Sequence, residues 1–170
     1  NLATEANMIV DNEGIKKFRS SDISEQGIVV LNNNMTGLED VTVYVRGYLI
    51  DVIEGKTHSV DVFDLEDYQK FIHCQTIDIV SRTIGDREYE IICDDEGLSK
   101  RPALVSAVNN DGQPMLVGNL IVMGNSGGDE DMHEISFDEI QHLKKHFMHV
   151  VTKGSGPIHH YTLLCDVEFI

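Results

Sequence analysis

Three histidines and an aspartate near the C-terminus have a spacing that could hold a metal ion. They are Asp138, His142, His146 and His149, at steps of four, four and three residues. In one continuous helix this spacing places all four side chains in a narrow stripe opposite an apolar face. Imidazoles four residues apart can reach one Zn²⁺, and the carboxylate can add a ligand or orient a histidine. The stripe therefore predicts a zinc or small-ligand site, although it lacks the glutamate of the H-E-x-x-H pattern.

Carboxylates form the second group of residues with a chemical role. The chain has 29 Asp and Glu residues against 13 Lys and Arg residues, which gives a formal charge of −16. This charge argues against direct binding of nucleic acid or an anionic membrane, because phosphate would be repelled. It either keeps the surface soluble or forms a negative field directed at a basic protein or a cation. The residues predicted to form such a partner-binding surface are Asp94, Asp95, Glu96, Asp129, Glu130, Asp131 and Glu134.

No nucleophile stands in a recognisable catalytic constellation. Cys74, Cys93 and Cys165 are widely spaced and form no C-x-x-C pair, which suits reduced, partly buried thiols. Residues 124–128 (GNSGG) resemble the serine loop of chymotrypsin-like proteases, but no upstream histidine has the sequence context of that triad. The sequence therefore favours a non-enzymatic protein, with no cofactor other than the zinc that the histidine stripe could bind.

The length and composition fit one compact domain with an additional arm, since the chain has 170 residues and 41% apolar content. We expect residues 1–40 to form a partly flexible N-terminal arm with a short helical turn around residues 15–18. Residues 41–170 are expected to form a single α+β domain. No apolar run reaches the length of about 18 residues that spans a bilayer, and the first residues lack signal-peptide features. These observations predict a cytoplasmic protein without a membrane partner.

Alternation of apolar and polar residues predicts several strands. The segments concerned are residues 41–53, 58–63, 76–84, 87–93, 116–123 and 159–170. Gly47 is expected to interrupt the first strand with a bulge or bend. Gly85 and Asp86 form a dipeptide suited to a tight hairpin turn.

Two helices are predicted from their capping residues. Asp64 is the expected N-cap of a short helix over residues 65–74. Ser136 and Glu139 form a capping box, and the apolar residues that follow predict about four helical turns, to residue 151.

Residues 85–124 read GDREYEIICDDEGLSKRPALVSAVNNDGQPMLVGNLIVMG, a series of turns and apolar runs that ends in a Gly-Asn-apolar-Gly strand. On this order of elements, over residues 58–150, the chain resembles DUF3846, a family known as a domain of unknown function. The resemblance implies a small protein encoded on a phage, plasmid or other mobile element of bacteria. It supplies no site residues, because the matching positions are turns and core. Pro102 is followed by Ala-Leu-Val-Ser where related sequences are expected to have an Asn-Arg pair, so a function of that pair is not carried over.

These patterns predict an α+β fold, with a twisted, mainly antiparallel sheet of five to seven strands and two helices packed on it. The leading functional hypothesis is a non-enzymatic accessory protein of a mobile genetic element. It would act as an acidic protein-interaction module on a basic nucleic-acid-binding protein, as a nucleic-acid mimic or in anti-defence. The alternative is a metal-dependent or small-ligand-binding protein that uses the stripe of His142, His146 and His149. A third hypothesis is an oligomeric component that associates through exposed strand edges.

Overall fold

The structure is a computed structural model that describes residues 8–10, 16–19, 41–101, 103–125, 133–152 and 156–170. Within these ranges the chain forms two β-sheets and two α-helices. The prediction of a sheet-rich α+β protein with two helices is confirmed. The prediction of one sheet is wrong, because two of the predicted strands are each divided between two sheets.

The larger sheet has eight strands. Six of them pair with one another antiparallel, and they are β3 (Val41–Asp51), β4 (Lys56–Val62), β5 (Ile77–Ile84), β6 (Arg87–Asp94), β9 (Leu120–Met123) and β12 (Val167–Phe169). The other two, β1 (Met8–Val10) and β2 (Lys16–Arg19), form an antiparallel pair, and β2 joins β3 in parallel. The helical turn predicted around residues 15–18 is wrong over the described residues, because Lys16–Arg19 pair along β3.

The smaller sheet has four strands. They are β7 (Val105–Val108), β8 (Pro114–Val117), β10 (Phe147–Thr152) and β11 (His159–Leu164). Their order is β10-β11-β7-β8, with a parallel contact between β11 and β7 and antiparallel pairing elsewhere. This order places β8 at one edge of the smaller sheet.

Two residues with positive φ direct the chain from the smaller sheet to the larger one. Gly118 has φ 77° and separates β8 from β9, whereas residues 116–123 were expected to form one strand. Asp166 has φ 58° and separates β11 from β12 within the predicted strand 159–170. An extended strand cannot continue through the left-handed region, so each residue turns the chain toward the other sheet.

Two glycines of the larger sheet had predicted roles, one in a hairpin turn and one in a strand. Gly85, with φ 63°, lies in the tight turn between β5 and β6, which confirms that hairpin. The expected bulge at Gly47 is wrong, because Gly47 pairs with Val60 without a shift in register. A Cβ atom at position 47 would lie 2.5 Å from Cγ2 of Ile121, so close packing against β9 accounts for this glycine.

The first helix, α1 (Leu65–Ile72), begins where the sequence predicts. The Asp64 side chain accepts a hydrogen bond of 3.0 Å from the backbone N–H of Asp67. The helix ends at His73, whose φ of 61° stops its continuation.

The second helix, α2 (Phe137–Lys144), begins with the predicted capping box of Ser136 and Glu139 but ends early. The predicted helix to residue 151 is wrong, because residues 147–152 form β10. The backbone N–H of His146 donates to the carbonyl of Leu143 and closes the last turn. The β-branched residues that follow then pair with β11, and long-range pairing outweighs the helical pattern. Neither helix within the described ranges is long and apolar enough to cross a membrane.

Buried apolar side chains form two clusters. The larger cluster includes residues of both sheets and Ile140 of α2, whereas the smaller one includes residues of the larger sheet and Ile72 of α1. Strand β9 contributes to both, with Leu120 in the larger cluster and Ile121 in the smaller one. Because successive residues of a strand face opposite sides, β9 is buried on both faces of its sheet.

Asn119 joins three parts of the fold. Its buried side-chain oxygen accepts hydrogen bonds from the backbone N–H groups of Val52 at 3.0 Å and Ile53 at 3.4 Å, after β3. Its side-chain nitrogen donates to the carbonyl of Phe71 in α1 at 2.9 Å. The Gly-Asn pair just before β9 therefore connects this strand to the end of β3 and to α1.

Candidate functional site

The predicted histidine stripe does not exist as a helical stripe. Helix α2 ends at Lys144, so His146 follows the helix and His149 lies on β10. His142 and His146 remain neighbours, with ring centroids 5.0 Å apart. His149 instead stacks on His160 of the adjacent strand at 5.5 Å. The physical reason is the change from helix to strand, which replaces the 100° step per residue by alternation between two faces.

Asp138 is also separated from the histidines. Its carboxylate pairs with Nη1 of Arg87 at 2.7 Å, and both side chains are exposed. Solvent screens an exposed pair of this kind, so it contributes little to stability. Among the residues that the structure describes, no three metal-ligating side chains form a group that could hold an ion. The geometry therefore does not assemble the predicted zinc ligands.

His142 is held at both ring nitrogens. Nδ1 lies 2.8 Å from the hydroxyl of Tyr89, and Nε2 lies 2.9 Å from Oδ1 of Asp86. The Tyr89 hydroxyl also donates to the carbonyl of Glu139 at 3.1 Å. Because a carboxylate only accepts hydrogen bonds, the His142 ring donates to Asp86 through Nε2. Burial raises the pKa of Tyr89 to about 12, which keeps its hydroxyl neutral at physiological pH.

His146 contacts a second carboxylate through one ring nitrogen. Its Nδ1 lies 2.7 Å from Oδ2 of Asp166, the residue of positive φ between β11 and β12. The backbone N–H of Gly85 donates to the carbonyl of Asp166, and that of Cys165 donates to the carbonyl of His146. We name Asp86, Tyr89, His142, His146 and Asp166 the imidazole cluster. Its hydrogen bonds connect the β5–β6 turn and the β11–β12 turn to the C-terminal end of α2.

The contact between His142 and Asp86 should be visible in the titration of the Asp86 carboxyl group. The hydrogen bond from His142 holds the pKa of Asp86 below its usual value of about 3.9. A lowered folded-state pKa means that the Asp86 carboxylate stabilises the fold above the usual pKa. This stabilisation is lost as the pH falls through the lowered pKa. Carboxyl ¹³C shifts measured against pH should show the low midpoint, and His142→Gln should move it upward.

Lys144→Gln provides the control for that titration, because Lys144 is an exposed residue of α2 outside the cluster. The Asp86 midpoint should not change in this variant. An Asp86 midpoint at or above the usual value in the wild type would show that the contact with His142 does not form in solution.

The three thiols lack the lowered pKa of a catalytic cysteine. Burial, followed by the charge of Asp78, raises the pKa of Cys93 to about 11. Burial also raises the pKa of Cys74 and of Cys165. Because the thiolate is the reactive form, these side chains are poor nucleophiles at neutral pH.

The predicted acidic surface separates into internal and exposed residues. Asp94 pairs with Nζ of Lys100 at 2.5 Å, and Glu134 pairs with Nη2 of Arg46 at 3.5 Å. Both carboxylates are almost fully buried, with side-chain exposures of 5% and 8%, so they are not available to a partner. Asp95 and Glu96 are exposed in the turn after β6. The remaining predicted residues, Asp129, Glu130 and Asp131, lie outside the described residues.

A small cavity lies beside this turn. Its volume is about 250 Å³, and it separates the end of β6 from the edge strand β8. Leu98, Met115, Leu116 and Val117 give it apolar walls, and Leu98 is 77% exposed. No pattern in the sequence indicates this site, because its two walls come from segments on either side of β7.

A model of the family described as "Domain of unknown function (DUF3846)" matches residues 45–148. The match runs from β3 to β10 and includes Asn119, the exposed turn and the cavity. No curated protein and no solved structure matches this chain.

Proposed function

The chain belongs to the DUF3846 family of domains of unknown function, and we propose that it acts as a non-enzymatic, acidic protein-interaction module. Its partner would be a basic protein, and specifically a nucleic-acid-binding protein whose basic groove the carboxylates occupy. A role as an accessory or anti-defence protein of a bacterial mobile element, and a cytoplasmic location, are further parts of this proposal.

The exposed pair Asp95 and Glu96 is the observation that carries the proposal. Lys100, four residues after Glu96, is already engaged by Asp94 at 2.5 Å and by the carbonyl of His73 at 2.9 Å. Within the described part of the chain, Asp95 and Glu96 make no ion pair with lysine or arginine. Their negative charges therefore face solvent, where a basic partner can contact them.

The charge of the whole chain strengthens this local field. A formal charge of −16 attracts cationic surfaces over about one Debye length, which is about 10 Å at 0.1 M salt. Such attraction accelerates encounter with a basic partner and weakens as salt is added. A mimic of nucleic-acid phosphates requires this behaviour.

A retention experiment with paired variants tests the proposal. Wild-type protein, Asp95→Asn/Glu96→Gln and Glu54→Gln/Glu66→Gln are immobilised and exposed to bacterial lysate at about 50 mM and about 300 mM salt. Retained proteins are identified by mass spectrometry. We expect a basic nucleic-acid-binding protein that the wild type retains at low salt and releases at high salt.

The two double variants lose the same charge at different places, because Glu54 and Glu66 are exposed on the β3–β4 turn and on α1. Replacement of Asp95 and Glu96 should reduce retention at least fivefold, and the control pair should leave it nearly unchanged. Equal loss in both variants would indicate a non-specific effect of net charge. Retention that does not depend on salt would contradict the proposal.

A further inference from the structure

We propose that the groove between β8 and the turn after β6 binds an extended segment of the partner, as a strand added to β8. The segment has an apolar centre with Lys or Arg at both ends. This inference rests on the proposed function and gives it a location and a partner chemistry.

Strand β8 is placed to accept another strand. It is the last strand on its side of the smaller sheet, and within the described residues it pairs only with β7. An edge strand presents backbone N–H and C=O groups to which an extended peptide can bind. Pro114 lacks an N–H, and the backbone groups of successive residues point to opposite edges of a strand, so alternate residues among 115–117 supply the amides of this edge. The four residues of β8 span about 13 Å, enough for a segment of similar length.

The cavity fits side chains of such a segment. Its volume of about 250 Å³ is below the range of about 300–1,000 Å³ that is typical of small-molecule sites. Its walls are mainly apolar, and the exposed side chain of Leu98 stands at the turn beside it. In a bound strand, alternate side chains point to the same face, so one or two apolar residues can enter the cavity.

Carboxylates lie near both ends of β8. A Cβ atom on Gly97 would lie 2.9 Å from Cγ2 of Val117, which places the turn with Asp95 and Glu96 at the end of β8. Asp111 is exposed in the turn between β7 and β8, next to the other end. A segment that lies along β8 therefore has negative charge at each end, which fits flanking Lys or Arg residues. The same charges would repel a second copy of this chain, so a basic partner is favoured over self-association.

A peptide titration tests the location. The ¹⁵N-labelled full chain is titrated with the capped peptide Lys-Arg-Val-Thr-Leu-Thr-Lys-Arg and with its charge-reversed form, Glu-Asp-Val-Thr-Leu-Thr-Asp-Glu. We expect the basic peptide to shift backbone amide signals of residues 94–98, 111–113 and 115–117, and the acidic peptide to shift none of them. Replacement of an exposed leucine that becomes buried on binding should weaken the affinity about tenfold, so Leu98→Ser is the test variant.

Leu65→Ser is the matched control, because Leu65 is also an exposed leucine but lies on α1. It should leave the affinity unchanged. Shifts confined to other surfaces, equal effects of the two leucine variants, or no shifts at about 1 mM basic peptide would overturn the inference. If the shifts lie on other surfaces and weaken with added salt, the groove proposal fails, but the proposed acidic interaction module is retained. If no basic peptide binds and no basic partner is retained from lysate, both proposals fail.

Discussion

Replacement of Asn119 by alanine should lower the free energy of unfolding by about 3–5 kcal/mol. The substitution removes three hydrogen bonds and leaves the N–H groups of Val52 and Ile53 and the carbonyl of Phe71 without this partner. The Val52 contact is buried, so the loss of this partner costs about 1–3 kcal/mol, and the two part-buried contacts add smaller costs. Urea unfolding followed by circular dichroism measures the change, which is a large fraction of the 5–15 kcal/mol typical of a domain.

Asn110→Ala is the control for this substitution, because Asn110 is exposed in the turn between β7 and β8. Its effect should stay within about 0.5 kcal/mol. If the two alanine variants unfold at the same urea concentration, Asn119 does not join β9 to α1 and to the turn after β3.

Replacement of Gly55 by alanine should destabilise the fold by about 2–5 kcal/mol. Gly55 has φ 72°, and the left-handed region costs other residues about 1–2 kcal/mol. A Cβ atom here would also overlap the backbone carbonyl oxygen of His160 on β11. Forced overpacking adds about 1–3 kcal/mol. The same turn is held to β11 by His159, whose Nε2 lies 2.6 Å from the carbonyl of Val52, so the turn cannot move away freely.

Gly112→Ala separates the two causes, because Gly112 has φ 77° but no atom within 4 Å of the added Cβ position. This control should show only the backbone cost of about 1–2 kcal/mol. Thermal or urea unfolding of both variants gives the difference. Equal destabilisation would mean that the β3–β4 turn does not pack against β11 as described.

Local signals in the sequence predicted the local parts of the fold. The caps at Asp64 and Ser136 and the turn at Gly85 act over three or four residues, so their patterns are visible in the chain. The division of strands at Gly118 and Asp166 depends on the φ angle of a single residue, which alternation of apolar residues does not reveal. Strand β10 was not predicted, because its residues fit a helical pattern and become a strand only through their pairing with β11.

The side-chain partners were less predictable than the elements. Asp86 lies 56 residues from His142, and its position in a hairpin turn gave no indication of a contact with an imidazole. Composition identified the acidic residues but could not distinguish Asp94, in an internal pair, from the exposed Asp95. The Gly-Asn strand was recognised as a family feature, and its role became clear only from the hydrogen bonds of Asn119.

The affinity for the retained partner, measured against salt, is the most direct test of the acidic module. Calorimetric titration of that partner between about 50 mM and about 300 mM salt should show a Kd that rises steeply for the wild type. Asp95→Asn/Glu96→Gln should bind more weakly with a shallower slope, and Glu54→Gln/Glu66→Gln should follow the wild type. A Kd that is independent of salt, or equal in the two double variants, would contradict the account.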